Sequence, residues 1–342
     1  MRKLLCFVLI SFFSSSSLAL DLGIPIACDY GVECLISSYY DKSISQGEYK
    51  DHTCGRLSYD NHKSTDFMLR SHTQMKDGVN VVASDSGKVI FVRDGMSDIS
   101  VNLIGEEAVR GRECGNGVII YHKRGYKTEY CHLKNGSIPK KVGEYVEKGE
   151  IIGQVGLSGI TSFPYLQFTV SLGGDAIDPF TGDNPITGDI NVPCDSLDIY
   201  PLWDKQTEKR LKYIATSLLS MGFSEKVPHS QGAREGKFSR TVIKDDSKLM
   251  VFWVDIFGLV AGDKLNLSII APNGDVLKTE TRPFDSNRRH IFQFLGYKNK
   301  TRYWPLGKYI GKIELVRNDG NEIDNVINTS TMVEVIRNEE RN

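Results

Sequence analysis

His62 and Asp66 stand four residues apart, a spacing at which an imidazole and a carboxylate can bind one metal ion. A catalytic zinc site uses three N or O ligands from the protein, keeps a position open for water, and needs a neighbouring group to move that water's proton. The pair supplies two such ligands. The alternative is a hydrogen-bonded histidine–carboxylate pair in a cleft that binds no metal.

The chain around this pair predicts a mostly antiparallel β domain, because no long helical pattern interrupts it. Two neighbouring runs, 118–122 and 127–132, predict a hairpin that brings Cys114 and Cys131 to the same end of adjacent strands, where we expect a disulfide. Short strands separated in several places by glycine-containing turns are predicted at 79–83, 88–93, 99–104, 118–122, 127–132, 151–155 and 166–171.

A second β region follows a predicted helix at 208–221 and a polar join at 225–237. Pro272-Asn273-Gly274 predicts a hairpin turn, and the regular strand spacing is typical of a small immunoglobulin-like β-sandwich. Trp253 and Trp304 are expected in or near its core. Its strands are predicted at 248–257, 264–271, 275–281, 290–296, 308–317 and 331–336.

The first residues predict export. A basic start, a short apolar run and a small-residue segment are typical of a signal peptide at 1–19, and no later stretch is long enough to predict an integral membrane segment in the mature chain. Six cysteines then remain, for which disulfides are expected in an oxidising compartment, with fifteen possible pairings. The net charge of −1 argues against a nucleic-acid partner.

An ordered set of motifs resembles the lysostaphin-type, or LytM-like, zinc endopeptidases that cut peptide cross-links in bacterial cell walls. The resemblance covers roughly residues 50–180 and implies a lysostaphin-type antiparallel sheet. The motifs are G-R-L-S-Y at 55–59, H-K-S-T-D-F at 62–67, V-V-A-S-D-S-G-K-V at 81–89, C-G-N-G-V-I-I-Y-H at 114–122, Y-C-H-L at 130–133, V-G-E-Y-V-E-K-G-E-I-I-G at 142–153, G-L-S-G-I-T at 156–161 and D-P at 178–179.

The resemblance implies that His62 and Asp66 are zinc ligands and that His132 is a catalytic histidine. The family's His-x-His pair, which supplies its second catalytic histidine and third zinc ligand, falls here on Tyr165 and Gln167. An amide oxygen is a weak zinc ligand and a phenol is a poor base at neutral pH. We therefore expect impaired catalysis. If the protein binds a cofactor, we expect it to be zinc. His72 and His122 are the nearby candidates for a substitute ligand.

The expected organisation is a signal peptide (1–19), a disulfide-bearing segment (20–49), a LytM-like domain (50–200), a helical linker (201–237) and a β-sandwich (238–342). The first functional hypothesis is an exported protein that binds peptidoglycan or a cell-wall hydrolase through an impaired cleft. The second is an active zinc endopeptidase in which Tyr165 stabilises the oxyanion. The third is a structural or adhesive protein whose sandwich is the functional part.

Overall fold

The computed structural model describes residues 20–182, 192–318 and 323–339, so the predicted signal peptide lies outside the described residues. Strands dominate and the helices are short, which confirms the all-β fold class. Within these residues, the α-helices are α1 His72–Asp77, α2 Val101–Ile104, α3 Lys205–Arg210 and α4 Ser230–Arg234. In the part of the chain that is described, none of the helices has the length and apolar character needed to cross a membrane.

The first sheet has eight strands, with neighbours in the order β1-β2-β9-β6-β5-β4-β7 and β10 beside β9, and all its pairs are antiparallel. β3 and β8 form a separate pair. The bounds are β1 Cys34–Ser38, β2 Thr65–Leu69, β3 Asn80–Val82, β4 Gly87–Arg93, β5 Asn116–Tyr121, β6 Tyr126–Leu133, β7 Tyr145–Val146, β8 Ile151–Gln154, β9 Tyr165–Leu172 and β10 Asp175–Ile177.

The core of this first region explains why its strands hold their positions. Phe67, Tyr130 and Phe168 are fully buried on neighbouring strands, and Trp203 stacks on Phe168 with ring centroids 5.7 Å apart. Leu22 is also fully buried in this core, so chain from both before and after the sheet packs against it. Burial of large apolar side chains is the main stabilising contribution here.

Three disulfides join the six described cysteines. Cys114 pairs with Cys131, as predicted from the β5–β6 hairpin. The other two bonds are Cys28–Cys34 and Cys54–Cys194. The segment before residue 50 therefore carries a disulfide of its own, and it also contributes β1 to the first sheet.

The predicted strand at 99–104 is wrong, because Val101–Ile104 is a helical turn. The Ser100 hydroxyl accepts a hydrogen bond from the Asn102 amide and caps the turn. The prediction relied on the alternation of apolar residues, which indicates a strand only if those residues are buried on one face. Leu103 is instead 67% exposed.

The predicted helix at 208–221 is also wrong. The Asp204 carboxylate caps the Thr207 amide at 2.6 Å, so α3 begins earlier and ends at Arg210. Residues Ser217–Ser224 instead form β11, which pairs with β13 (Leu249–Leu259). Pairing with a distant strand overrides local helical periodicity here.

The second region contains a three-stranded sheet in the order β11-β13-β16 and a five-stranded sheet in the order β12-β18-β17-β14-β15. The β14–β15 hairpin confirms the turn predicted around Gly274. The remaining bounds are β12 Val242–Lys244, β14 Lys264–Ile270, β15 Val276–Pro283, β16 Arg288–Lys298, β17 Gly307–Asn318 and β18 Ile323–Ile336.

The two sheets of this region pack face to face over one core. A Cβ atom on Gly311 of β17 would lie 2.4 Å from the Phe252 ring of β13, so the close approach of the sheets requires glycine there. Trp253 and Trp304 are buried, as predicted. A two-sheet sandwich is thus present, whereas its immunoglobulin type and the predicted domain boundaries remain predictions.

Candidate functional site

His62 lies in the loop just before β2 and Asp66 lies on β2, and both side chains are buried. His62 Nε2 is 3.2 Å from Asp66 Oδ2. The Ser64 hydroxyl donates to Asp66 Oδ1 at 2.9 Å and lies 3.2 Å from His62 Nε2. Because the Ser64 hydroxyl donates its proton to Asp66, both oxygens near His62 Nε2, Ser64 Oγ and Asp66 Oδ2, are acceptors there. These contacts become hydrogen bonds when Nε2 carries a proton. A metal at Nε2 would have to replace that proton.

Tyr59 covers the histidine of this pair. The Tyr59 ring centroid lies 4.2 Å from that of His62. The Arg289 guanidinium lies 5.6 Å from the Tyr59 ring and lines the same cleft. Burial raises the pKa of Tyr59, and the charge of Asp66 raises it further, so this phenol stays protonated. Tyr59 therefore acts as a neutral aromatic wall.

His132 is held at the end of β6 by its Nδ1–H, which donates to the Ser158 carbonyl at 2.7 Å. The backbone of His132 has a φ of 63°, a left-handed conformation unusual for a residue other than glycine. Burial lowers the pKa of His132. The neutral ring therefore keeps its lone pair on Nε2, which is the atom that a general base would use.

The Tyr165 phenol donates a hydrogen bond to that nitrogen, whereas the Gln167 amide oxygen, itself an acceptor, only lies beside it. The Tyr165 hydroxyl lies 2.9 Å from His132 Nε2 and donates to it, because the neutral ring can only accept there. Gln167 Oε1 lies 3.1 Å from the same atom. Burial raises the pKa of Tyr165 well above its usual value, with Asp66 adding to the effect, so this phenol also stays protonated. The nitrogen that could accept a proton from water is already hydrogen-bonded within the protein.

Strand register explains how the two halves of the site meet. Gln167 of β9 pairs with Asp66 of β2 on one side and with Cys131 of β6 on the other. Side chains at paired positions of antiparallel strands lie on the same face. All five predicted site residues therefore belong to one cleft, although they come from three strands and the loop before β2.

The donor set falls short of a zinc site. His62 and Asp66 can each provide a ligand atom, but the third position holds the Gln167 amide, a weaker donor to zinc than imidazole. Among the described residues, the metal-type cluster found elsewhere is Cys114, Glu129 and Cys131, whose two cysteines form a disulfide and offer no thiolate. The residues present therefore do not fit a catalytic zinc ion.

The substitute histidines do not repair the set. His122 donates from Nδ1 to the Ser86 carbonyl at 2.9 Å, and its Nε2 lies 2.7 Å from Thr128 Oγ1. His72 packs edge-on against Phe163, with ring centroids 5.5 Å apart. Within the described ranges, neither ring makes a hydrogen bond to His62 or Asp66.

A cavity of about 410 Å³ opens beside Asp66 and Tyr165, between the two β regions. The second region contributes Arg234, Arg289 and His290 to its wall. No local sequence pattern predicts these three residues at the site, because they reach the cleft through packing between distant segments. The other lining residues are Ser37, Tyr59, Met68, Val101, Ile160, Thr161, Ser162, Phe163, Leu219 and Phe257.

Comparison with known proteins agrees with the motif analysis. The model of Peptidase family M23 matches residues 60–179. An uncharacterized metalloprotease of Haemophilus influenzae is 32% identical over 110 residues, which are 32% of this chain and 21% of that protein. Peptidoglycan DD-endopeptidase ShyB of Vibrio cholerae is 30% identical over 125 residues, which are 36% of this chain and 24% of that protein.

Among solved structures, the catalytic domain of lysostaphin from Staphylococcus simulans matches with 23% identity and a TM-score of 0.28. That match covers 42% of this chain and 85% of the lysostaphin domain. The chain spans about a quarter or less of the length of the two curated relatives described above.

Proposed function

Residues 60–179 match the model of Peptidase family M23, and from this premise we propose that the chain binds peptidoglycan in the cleft beside Asp66 and Tyr165 without hydrolysing it. One curated relative carries the name of a peptidoglycan endopeptidase, which supports this class of ligand. The three disulfides fit an exported protein, periplasmic or secreted, which would meet the wall.

The observation that carries the loss of hydrolysis is the hydrogen bond from Tyr165 to His132 Nε2. A peptidase of this design needs a base to take a proton from water and a metal to lower the pKa of that water. Here the base is hydrogen-bonded to a protonated phenol, and the third metal ligand is the Gln167 amide. The residues that impair the base and the metal site, Tyr165 and Gln167, both lie on β9.

The cleft itself remains suited to binding. Its volume lies in the range of ordinary ligand sites, and its wall combines aromatic and apolar side chains with a few polar groups. Tyr59 and Phe163 offer surfaces for packing, while Thr161 and Ser162 lie among the polar lining. Binding through such a wall requires no metal.

A pelleting experiment with purified bacterial sacculi tests the proposal. The oxidised full chain should sediment with sacculi and should release no fragments from cross-linked wall peptides, with or without added zinc. A full-length Tyr59→Ala variant changes the cleft wall and leaves the sandwich intact, so it should sediment less than the wild-type chain if the cleft binds the wall.

Three results would contradict the proposal. Zinc-dependent cleavage by the wild-type chain would favour the active endopeptidase. Failure of the wild-type chain to sediment would remove peptidoglycan as its ligand. Binding that resides entirely in the sandwich would favour the structural or adhesive hypothesis.

A further inference from the structure

The cavity beside Asp66 is built from both β regions, and its two walls differ in charge. The first region contributes the carboxylate of Asp66, which is already engaged by Ser64 and His62. The second region contributes Arg234 and Arg289, two permanent cations. A ligand in this cavity therefore meets a basic wall on the side of the second region.

The two arginines differ in how their charges are balanced. Arg234 Nε lies 2.8 Å from a carboxylate oxygen of the buried Asp255, and the same carboxylate contacts His290. Arg289 has no carboxylate within ion-pair distance in the described parts of the chain. Its Nη2 donates to the Ser37 carbonyl at 3.1 Å and to the Ser38 hydroxyl. Within the described residues, Arg289 is thus a positioned cation without an ion-pair partner.

Hydrogen bonding leaves part of this guanidinium available. The two contacts with β1 use Nη2 and fix the head group over the cleft, whereas Nε and Nη1 make no hydrogen bond within the described ranges. The Tyr59 ring supports the guanidinium from 5.6 Å. A guanidinium held in this way can donate charge-assisted hydrogen bonds to a carboxylate at little further cost in side-chain entropy.

The rest of the wall indicates what such a ligand carries. Met68, Leu219 and Phe257 belong to a small apolar cluster between the two β regions, and Phe163 packs against it. All four line the cavity. Apolar walls of this kind suit a ligand with small apolar side chains next to its charged group.

We propose that Arg289 recognises the free carboxylate of a short peptide, so that the second β region selects wall peptides that end in an unblocked carboxyl group. This inference rests on the proposed function, because it names the chemical class of the ligand bound in the same cleft. The second region then forms part of the binding site.

Titration with two forms of one peptide tests this inference. The probes are N-acetyl-D-Ala-D-Ala with a free carboxylate and the same peptide as its C-terminal amide, added to the oxidised full chain. Wild-type protein should bind the acid about 10- to 100-fold more tightly, the range expected when a hydrogen bond to a charged group is lost.

Substitutions at Arg289 identify the group responsible. Arg289→Gln should remove the preference for the acid, and Arg289→Lys should restore part of it because the charge remains. Arg288→Gln is the matched control, since Arg288 is an exposed neighbour on β16 that does not line the cavity. Unfolding temperatures should agree among the variants.

The outcomes also separate this inference from the proposed function. Equal affinity for the two peptide forms, no measurable binding of the acid, or an unchanged preference in Arg289→Gln would overturn it. If sacculi still sediment the protein in those cases, peptidoglycan binding stands and only the carboxylate recognition fails. If the protein clearly prefers the acid but does not sediment with sacculi, carboxylate recognition stands and peptidoglycan binding fails.

Discussion

The two strands that carry most of the site, β2 and β9, lie side by side and differ in chemistry. The β2 side presents a metal-type pair, His62 and Asp66, whereas β9 presents Tyr165 and Gln167. The opposite face of β9 carries Phe168, which is fully buried in the core. Because side chains alternate along a strand, the chemistry of one face can change while the packing of the other stays fixed.

The largest expected effect concerns this difference between the faces of β9. Phe168→Ala should destabilise the protein by about 3–5 kcal/mol, because it removes a large buried side chain. Gln167→Ala should cost much less, since Gln167 packs on the cleft face. Urea unfolding measures both free energies. Equal losses would show that the cleft face supports the fold as much as the core face does.

The disulfide beside the site should have the next largest effect. Replacing Cys114 and Cys131 together by alanine should cost about 3 kcal/mol, and removing Cys28–Cys34 about 2 kcal/mol, because the second bond closes a shorter loop. Thermal unfolding of the two double variants compares them. The reverse order would mean that loop length does not govern their contributions.

The hydroxyl of Tyr165 should contribute the least. Tyr165→Phe should destabilise the protein by about 1 kcal/mol, because His132 Nε2 loses its buried donor. Tyr145→Phe is the matched control, since Tyr145 is 63% exposed and should give almost no change. An equal response of the two variants in urea unfolding would argue against the hydrogen bond to His132.

Local pattern predicted much of the first region and of its site. Alternation and glycine turns located strands such as β5 and β6, and hairpin pairing predicted the bond between Cys114 and Cys131. The order of the motifs predicts that the five site residues belong to one site. These signals lie within short stretches, where sequence spacing largely determines geometry.

The failed helix prediction and the unpredicted place of Arg289 both depend on contacts between distant segments. β11 was predicted as helix because its pairing with β13 has no local signal. The contact of Arg289 with Ser37 joins residues 252 positions apart, so its place in the cleft could not be read from spacing. The helical turn at Val101 was missed because alternation predicts a strand only where one face becomes buried.

The central claim is that the β9 side of the cleft cannot complete a zinc site. Elemental analysis after exhaustive dialysis should find well under one zinc per wild-type chain. The double variant Tyr165→His with Gln167→His should hold close to one zinc per chain, and adding His62→Ala should remove it again. A wild-type chain that holds one zinc, and loses it in His62→Ala, would contradict the account.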